Sequence, residues 1–268
     1  MAYLDRENGR RVYYEDNGSG DRAIVLIHGW GMSLRMWDGS LPALLEAGYR
    51  VIALDHRGCG QSDKDFDDMG IGAIAGDVTA LAQSLGLSQV ALNGWSLGGA
   101  VAVEAADALG SSCAALVLTC GATPAYLQKP DFPHGGTEDA LAGTLEAMAA
   151  DRANFLRALS EGICARETSE ATIQWMWQIF MDGSPMAARS LAELGPLDQR
   201  EILSNLELPV LSFVGGCDQV VDPAVCRSVA DYHDNTRIVE FEAAGHAPQI
   251  EESEGYHEAL IAFLNDNL

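Results

Sequence analysis

Ser96, Asp218 and His246 are the residues of this 268-residue chain whose types and settings could do covalent chemistry together. Ser96 lies in Gly94-Trp95-Ser96-Leu97-Gly98-Gly99, after an apolar run and before an alanine-rich helical pattern. A Gly-x-Ser-x-Gly turn between a strand and a helix lifts the serine hydroxyl above the strand end. Its flanking positions must be small, and the free N–H groups of the helix start suit a developing negative charge. A serine hydroxyl is a weak nucleophile and needs a base beside it. His246, in Gly245-His246-Ala247-Pro248, could take and return that proton. Asp218, in Gly215-Gly216-Cys217-Asp218, could hold the imidazole tautomer and stabilise the imidazolium.

Asp222 is the rival acid, but it precedes Pro223 and reads as a helix N-cap. His134, His233 and His257 read as surface or loop residues, because only His246 lies in a glycine-containing turn after a strand. His28, in His28-Gly29-Trp30-Gly31, reads as a residue that hydrogen-bonds its own loop. That loop can bring a backbone N–H toward the serine, and Trp30 can line a pocket there. Asp55 to Asp63 reads as a turn-rich structural loop, with substrate contact by His56 or Arg57 as the alternative.

The elements that must position these residues alternate. Residues 2–16 read as a hairpin turning at Asn8-Gly9. Strands follow at 23–27, 49–54, 90–95, 114–118, 210–214 and 238–241, with helices at 41–47, 72–85, 97–109, 223–232 and from 248 to the end. Such alternation implies a mainly parallel sheet covered by helices, with its site at the carboxyl ends of the strands. Residues 121–203 show no strand pattern and look helical. Thr137, Thr168 or Ser169, and Ser184-Pro185 are its helix starts. The expected division is a core of 1–120 and 204–268 with a helical lid of 121–203 over the strand ends. Trp175, Met176 and Trp177 are candidates for the lid's wall of the substrate pocket, facing Trp30 and Trp95.

The chain is long enough for a sizeable core. Its net charge of −23 argues against nucleic acid and anionic membrane surfaces as partners. It should also disfavour anionic substrates at low salt unless Arg152, Arg157 or Arg166 offsets it. No apolar run approaches the roughly 18 residues of a membrane span, and the first residues are polar and mixed in charge. The six cysteines show no Cys-x-x-Cys spacing and read as reduced thiols of a cytoplasmic protein, with no metal site among them.

With these segments assembled, the chain resembles the α/β-hydrolase fold superfamily along nearly its whole length. The residues that carry the resemblance are His28-Gly29-Trp30-Gly31, Asp55-His56-Arg57-Gly58-Cys59-Gly60-Gln61-Ser62, Gly94-Trp95-Ser96-Leu97-Gly98-Gly99, Gly215-Gly216-Cys217-Asp218 and Gly245-His246-Ala247-Pro248. The chain order Ser96, Asp218, His246 is that of the superfamily. The resemblance implies an oxyanion hole from the amides of Trp30 and Leu97. Within the superfamily the chain is similar to small carboxylesterases, including the pimeloyl-carrier-protein methyl ester esterase type, and to cofactor-free haloperoxidases, or perhydrolases. The latter usually carry Pro where this chain has Gly31, which leans toward plain ester hydrolysis. Dehalogenases and epoxide hydrolases of this fold use Asp where this chain has Ser96. The expected function is cleavage of small to medium carboxylic esters through an acyl-enzyme, by a monomer or homodimer without cofactor. Lactonase, perhydrolase and carbon–carbon bond hydrolase share the same three residues, and a non-catalytic ligand-binding protein is the reading from another class.

Overall fold

Ala23–Ile27 is an unbroken apolar run, and all five residues are buried. A strand of this kind needs cover on both faces. The computed structural model describes residues 2–268 and supplies that cover from helices. Its eight strands are β1 (Ala2–Asp5), β2 (Arg11–Asn17), β3 (Ala23–Ile27), β4 (Arg50–Leu54), β5 (Val90–Trp95), β6 (Cys113–Thr119), β7 (Val210–Gly215) and β8 (Thr236–Phe241). They form one sheet in the order β1-β2-β4-β3-β5-β6-β7-β8. The β1–β2 hairpin is antiparallel and joins β4 antiparallel, while β3 to β8 run parallel. Asn8 and Gly9, the expected turn, both take positive φ.

Alternate strand residues serve opposite faces. Val25 and Ile27 pack with Val78, Leu81 and Val101 of helices α2 (Ile71–Ser84) and α3 (Leu97–Leu109). Ile24 and Leu26 belong to the other layer, with Leu44 and Leu260. Those two residues come from α1 (Leu41–Glu46) and the C-terminal helix. The strand order reverses between β3 and β5, which places the loops after Ile27 and Trp95 side by side.

Five helices lie between β6 and β7: α4 (Glu138–Ala150), α5 (Arg152–Gly162), α6 (Glu170–Asp182), α7 (Ala188–Glu193) and α8 (Arg200–Asn205). Thr137 and Ser169 cap α4 and α6, accepting from Ala140 N and Thr172 N. Ser184 caps a short 3-10 turn over Pro185–Ala187. The expectation of helix throughout 121–203 fails at its start. Residues 121–137 form an irregular loop, tied by isolated bridges between Leu127 and Gly136 and between Lys129 and Phe132. Two other expected helices are interrupted. The one after β7 divides into α9 (Pro223–Arg227) and α10 (Val229–Tyr232) at Ser228, whose hydroxyl turns back to Val225 O. The last divides into α11 (Pro248–Glu251) and α12 (Ser253–Asn267) at Glu252, whose backbone is non-helical.

Candidate active site

Ser96 has φ +57° and ψ −124°, a conformation a side chain rarely adopts. The turn is over-determined by its neighbours. Ser96 N donates to Thr119 O, and Ser96 O accepts from Gly99 N and Ala122 N. A Cβ on Gly98 would come within 2.5 Å of both Ile27 O and His28 O. The glycine spacing therefore reflects backbone contact between the start of α3 and the end of β3. A Cβ on Gly29 would stand 3.2 Å from the Ser96 Cβ, so the loop after β3 lies against the serine. Leu97 opens α3, and its amide has no intrahelical acceptor.

His246 follows β8 and Asp218 follows β7, both buried. His246 Nδ1 donates to Asp218 Oδ2 at 2.7 Å. Asp218 Oδ1 accepts from Val220 N and Val221 N at 2.8 and 3.0 Å. The carboxylate is thereby held on both oxygens, and the Nδ1–H tautomer leaves Nε2 with its lone pair. Ser96 and His246 line one cavity of about 230 Å³. Asp222 does what its place before Pro223 predicts. It caps α9 through Ala224 N and also accepts from Gly135 N.

Trp30, Trp95 and Leu97 line the same cavity. Trp95 is almost wholly buried, and its indole N–H donates to His246 O at 2.7 Å. Trp30 donates to Ala187 O in the insert at 2.8 Å, and its ring stands 6.0 Å from Phe180. The insert's aromatic wall differs from the expected one. Trp175, Met176 and Trp177 are not among the cavity's lining residues, whereas Phe155 and Phe180 are. Met176 is buried in the core layer, and Trp177 donates to Ala153 O within the insert. Phe180 lies four residues beyond Met176 on the same helical stripe, which runs from the core out to the cavity at the end of α6. Helical periodicity identifies that stripe but not which of its turns meets the cavity.

Comparisons with known proteins identify the fold family. The family model described as alpha/beta hydrolase fold matches residues 22–253. This chain belongs to the alpha/beta hydrolase fold family. An esterase from Exiguobacterium antarcticum superposes with a TM-score of 0.94 at 30% identity, covering 98% of each chain. A non-heme haloperoxidase of Rhodococcus erythropolis is 31% identical over 82% of this chain and 83% of its own. A pimeloyl-[acyl-carrier protein] methyl ester esterase of Klebsiella pneumoniae is 28% identical over 94% of this chain and 96% of its own.

In this alpha/beta hydrolase fold chain the remaining polar motifs make hydrogen bonds outside the cavity lining. His28 is fully buried, donates from Nδ1 to Gly29 O at 2.7 Å and accepts the His56 amide on Nε2 at 2.9 Å. Burial pushes its pKa down to about 4. Asp55 accepts from Leu34 N and Gln61 N, and burial pushes its carboxyl up to about 6. Arg57 makes a two-pronged pair with buried Asp77. Neither His56 nor Arg57 lines the cavity. His233 bonds Thr236 and Leu206 O, and His257 bonds Ser40, both away from Ser96. His134 packs edge-on against Phe132.

The arginines that could offset the acidic charge are engaged elsewhere. Arg152 donates to Phe180 O and Gly183 O, Arg157 pairs with Glu161 and Glu170, and Arg166 pairs with Glu252. None of them lines the cavity, and among the described residues His246 is the one histidine that does. Among the described residues, Cys120, Asp218 and His246 bring potential metal-ligand atoms within 4.8 Å of one another. Their chemistry does not suit a metal. Asp218 and His246 are bonded to each other, and burial, with the Asp218 charge adding, raises the Cys120 thiol well above its ordinary range. No helix among the described residues is long and apolar enough to cross a membrane.

Proposed function

We propose that this chain is a serine hydrolase that cleaves carboxylic esters of small to medium acyl groups. The single observation that carries the reading is the 2.7 Å His246–Asp218 hydrogen bond behind a cavity that Ser96 also lines. Ser96 attacks the ester carbonyl while His246 Nε2 takes its proton. The amides of Trp30 and Leu97 receive the oxyanion, and each such donor is worth about 10²–10³ in rate. His246 returns the proton to the departing alcohol. Water, activated by the same imidazole, then hydrolyses the acyl-enzyme. Asp218 holds the tautomer and balances the imidazolium. No cofactor enters these steps.

Residues 121–203 serve as a lid over this site, and the remainder as the core. Among the described residues no lysine, arginine or carboxylate lines the cavity, so the acyl group it takes is uncharged. The net charge of −23 acts in the same direction by repelling anionic substrates at low salt. Five of the six cysteines are buried and all are free thiols, which fits a cytoplasmic protein acting on a small molecule as monomer or homodimer.

Hydrolysis of p-nitrophenyl esters of increasing acyl length, with Ser96→Ala as control, tests the reading. The expected result is turnover on short neutral esters and a loss of about 10⁴–10⁶ in kcat in the variant. Wild-type protein inert on every ester, or a variant as active as the wild type, would overturn it. At low salt, succinate half-esters should be poorer substrates than butyrates, and equal rates would remove the charge argument.

A further inference from the structure

The three successive amides of the His246 turn have unusual partners. Gly245 N and Ala247 N both donate to Glu251 Oε1, at 2.8 and 3.3 Å. His246 N donates to Ile163 O, in the insert just past α5, at 2.8 Å. The other oxygen of the same carboxylate, Glu251 Oε2, accepts from Ala165 N and Arg166 N at 2.8 and 2.9 Å. One half-buried carboxylate thus takes four backbone N–H groups, two from the turn that carries His246 and two from the insert. The contact is close enough that a Cβ on Gly245 would fall 2.6 Å from Ala165 N.

We propose that Glu251 is a positioning residue for His246, and that its carboxylate seats the histidine and the insert as one unit. The inference rests on the reading of His246 as the base. A carboxylate suits this place because it is the one side-chain group that offers acceptors on both oxygens and no donor. Hydrogen bonds to a charged acceptor are also the stronger kind. Glutamine has the same shape but carries an N–H₂ on one side. Whichever way it turns, two donors face either the His246 turn or residues 165–166. The imidazole then loses its fixed approach to Ser96, or the wall that Ile163 gives the cavity shifts together with the bond from His246 N. Misplacement of a reacting group by about 1 Å can cost about a hundredfold in rate.

The experiment compares wild type, Glu251→Gln, Glu251→Ala and Ser96→Ala on p-nitrophenyl butyrate. Thermal unfolding of each gives the folded fraction. The proposal predicts that kcat per folded molecule drops about ten- to a hundredfold in Glu251→Gln while KM stays within about threefold. Labelling of Ser96 by a fluorophosphonate should slow in parallel. The isosteric glutamine should not rescue the alanine variant. Glu251→Gln with wild-type kcat and only a lowered Tm would overturn the proposal, as would a loss confined to KM. Should Glu251→Ala fail to fold, Glu251→Gln decides. Activity surviving in Ser96→Ala would instead refute the Ser96–His246 reading, so the two failures are distinguishable.

Discussion

Trp95, the residue before Ser96, donates its indole N–H to the backbone carbonyl of His246 at 2.7 Å. The turn that carries the serine is thereby fastened to the turn that carries the histidine, across 151 residues of chain. The side chain also fills the floor of the cavity beside Gly29. Trp95→Phe keeps an aromatic ring but leaves that buried carbonyl without its donor. It should cost about 2–3 kcal/mol in urea unfolding. It should also lower kcat more than it raises KM. Unchanged stability would show that the bond contributes nothing.

Asp218 and Asp222 stand four residues apart and have different tasks. Asp218→Asn would put an amide where His246 Nδ1 needs an acceptor, and kcat should fall by about 10⁴ with the fold intact. Asp222→Ala removes a helix cap. It should cost about 1 kcal/mol and leave kcat within about twofold of wild type. Steady-state kinetics on the two variants check this, and equal losses would contradict the assignment of the acid.

His28 and His56 stack with ring centroids 3.7 Å apart, both fully enclosed. Burial lowers the His28 pKa from 6.5 to about 4 and holds His56 well below its ordinary value. The fold therefore favours the neutral rings. Their contribution is complete above pH 6.5 and is lost as pH falls toward 4, about 3 kcal/mol from His28 alone. Asp55 acts in the opposite sense. Its raised pKa makes the fold gain as pH falls through about 6. Comparing wild type with His28→Gln cancels the Asp55 effect. Between pH 7 and 4 the wild type should lose about 3 kcal/mol more than the variant. Parallel stability curves would contradict a buried neutral His28.

Phe155 lines the cavity from α5, whereas Trp177 does not line it. Phe155→Ala should move the acyl-length optimum toward longer chains. Trp177→Phe, which removes the bond to Ala153 O and part of the ring at a site outside the cavity lining, should leave it in place. A shift in the second variant and not in the first would show that the wall lies elsewhere.

Much of the core was legible because local rules and the fold agree there. The run Ala23–Ile27, short and set between turns, reads as a strand buried on both faces, and the Ser96 turn announces itself through glycines that backbone contacts require. Asp218 and His246 could be placed because each follows such a run. The insert was less legible. Residues 121–137 hold their shape through scattered bonds such as Gln128 N to Gly136 O, which leave no periodic trace. The position of Phe180 at the cavity depends on how α6 docks against Trp30 and Gly31, a tertiary fact that a helical stripe does not record. Glu251 likewise shows in sequence only as one carboxylate among many. Its role appears when residues 165–166 and 245–247 converge on it.

The measurement to make first is covalent labelling with a fluorophosphonate, followed by peptide mass mapping and residual ester hydrolysis on the same samples. Ser96 as nucleophile predicts one adduct per chain, on the peptide containing Ser96, with activity lost in proportion to labelling and no adduct in Ser96→Ala. A wild-type chain that hydrolyses esters yet stays unlabelled at Ser96, or keeps its activity when Ser96 is fully labelled, would contradict it.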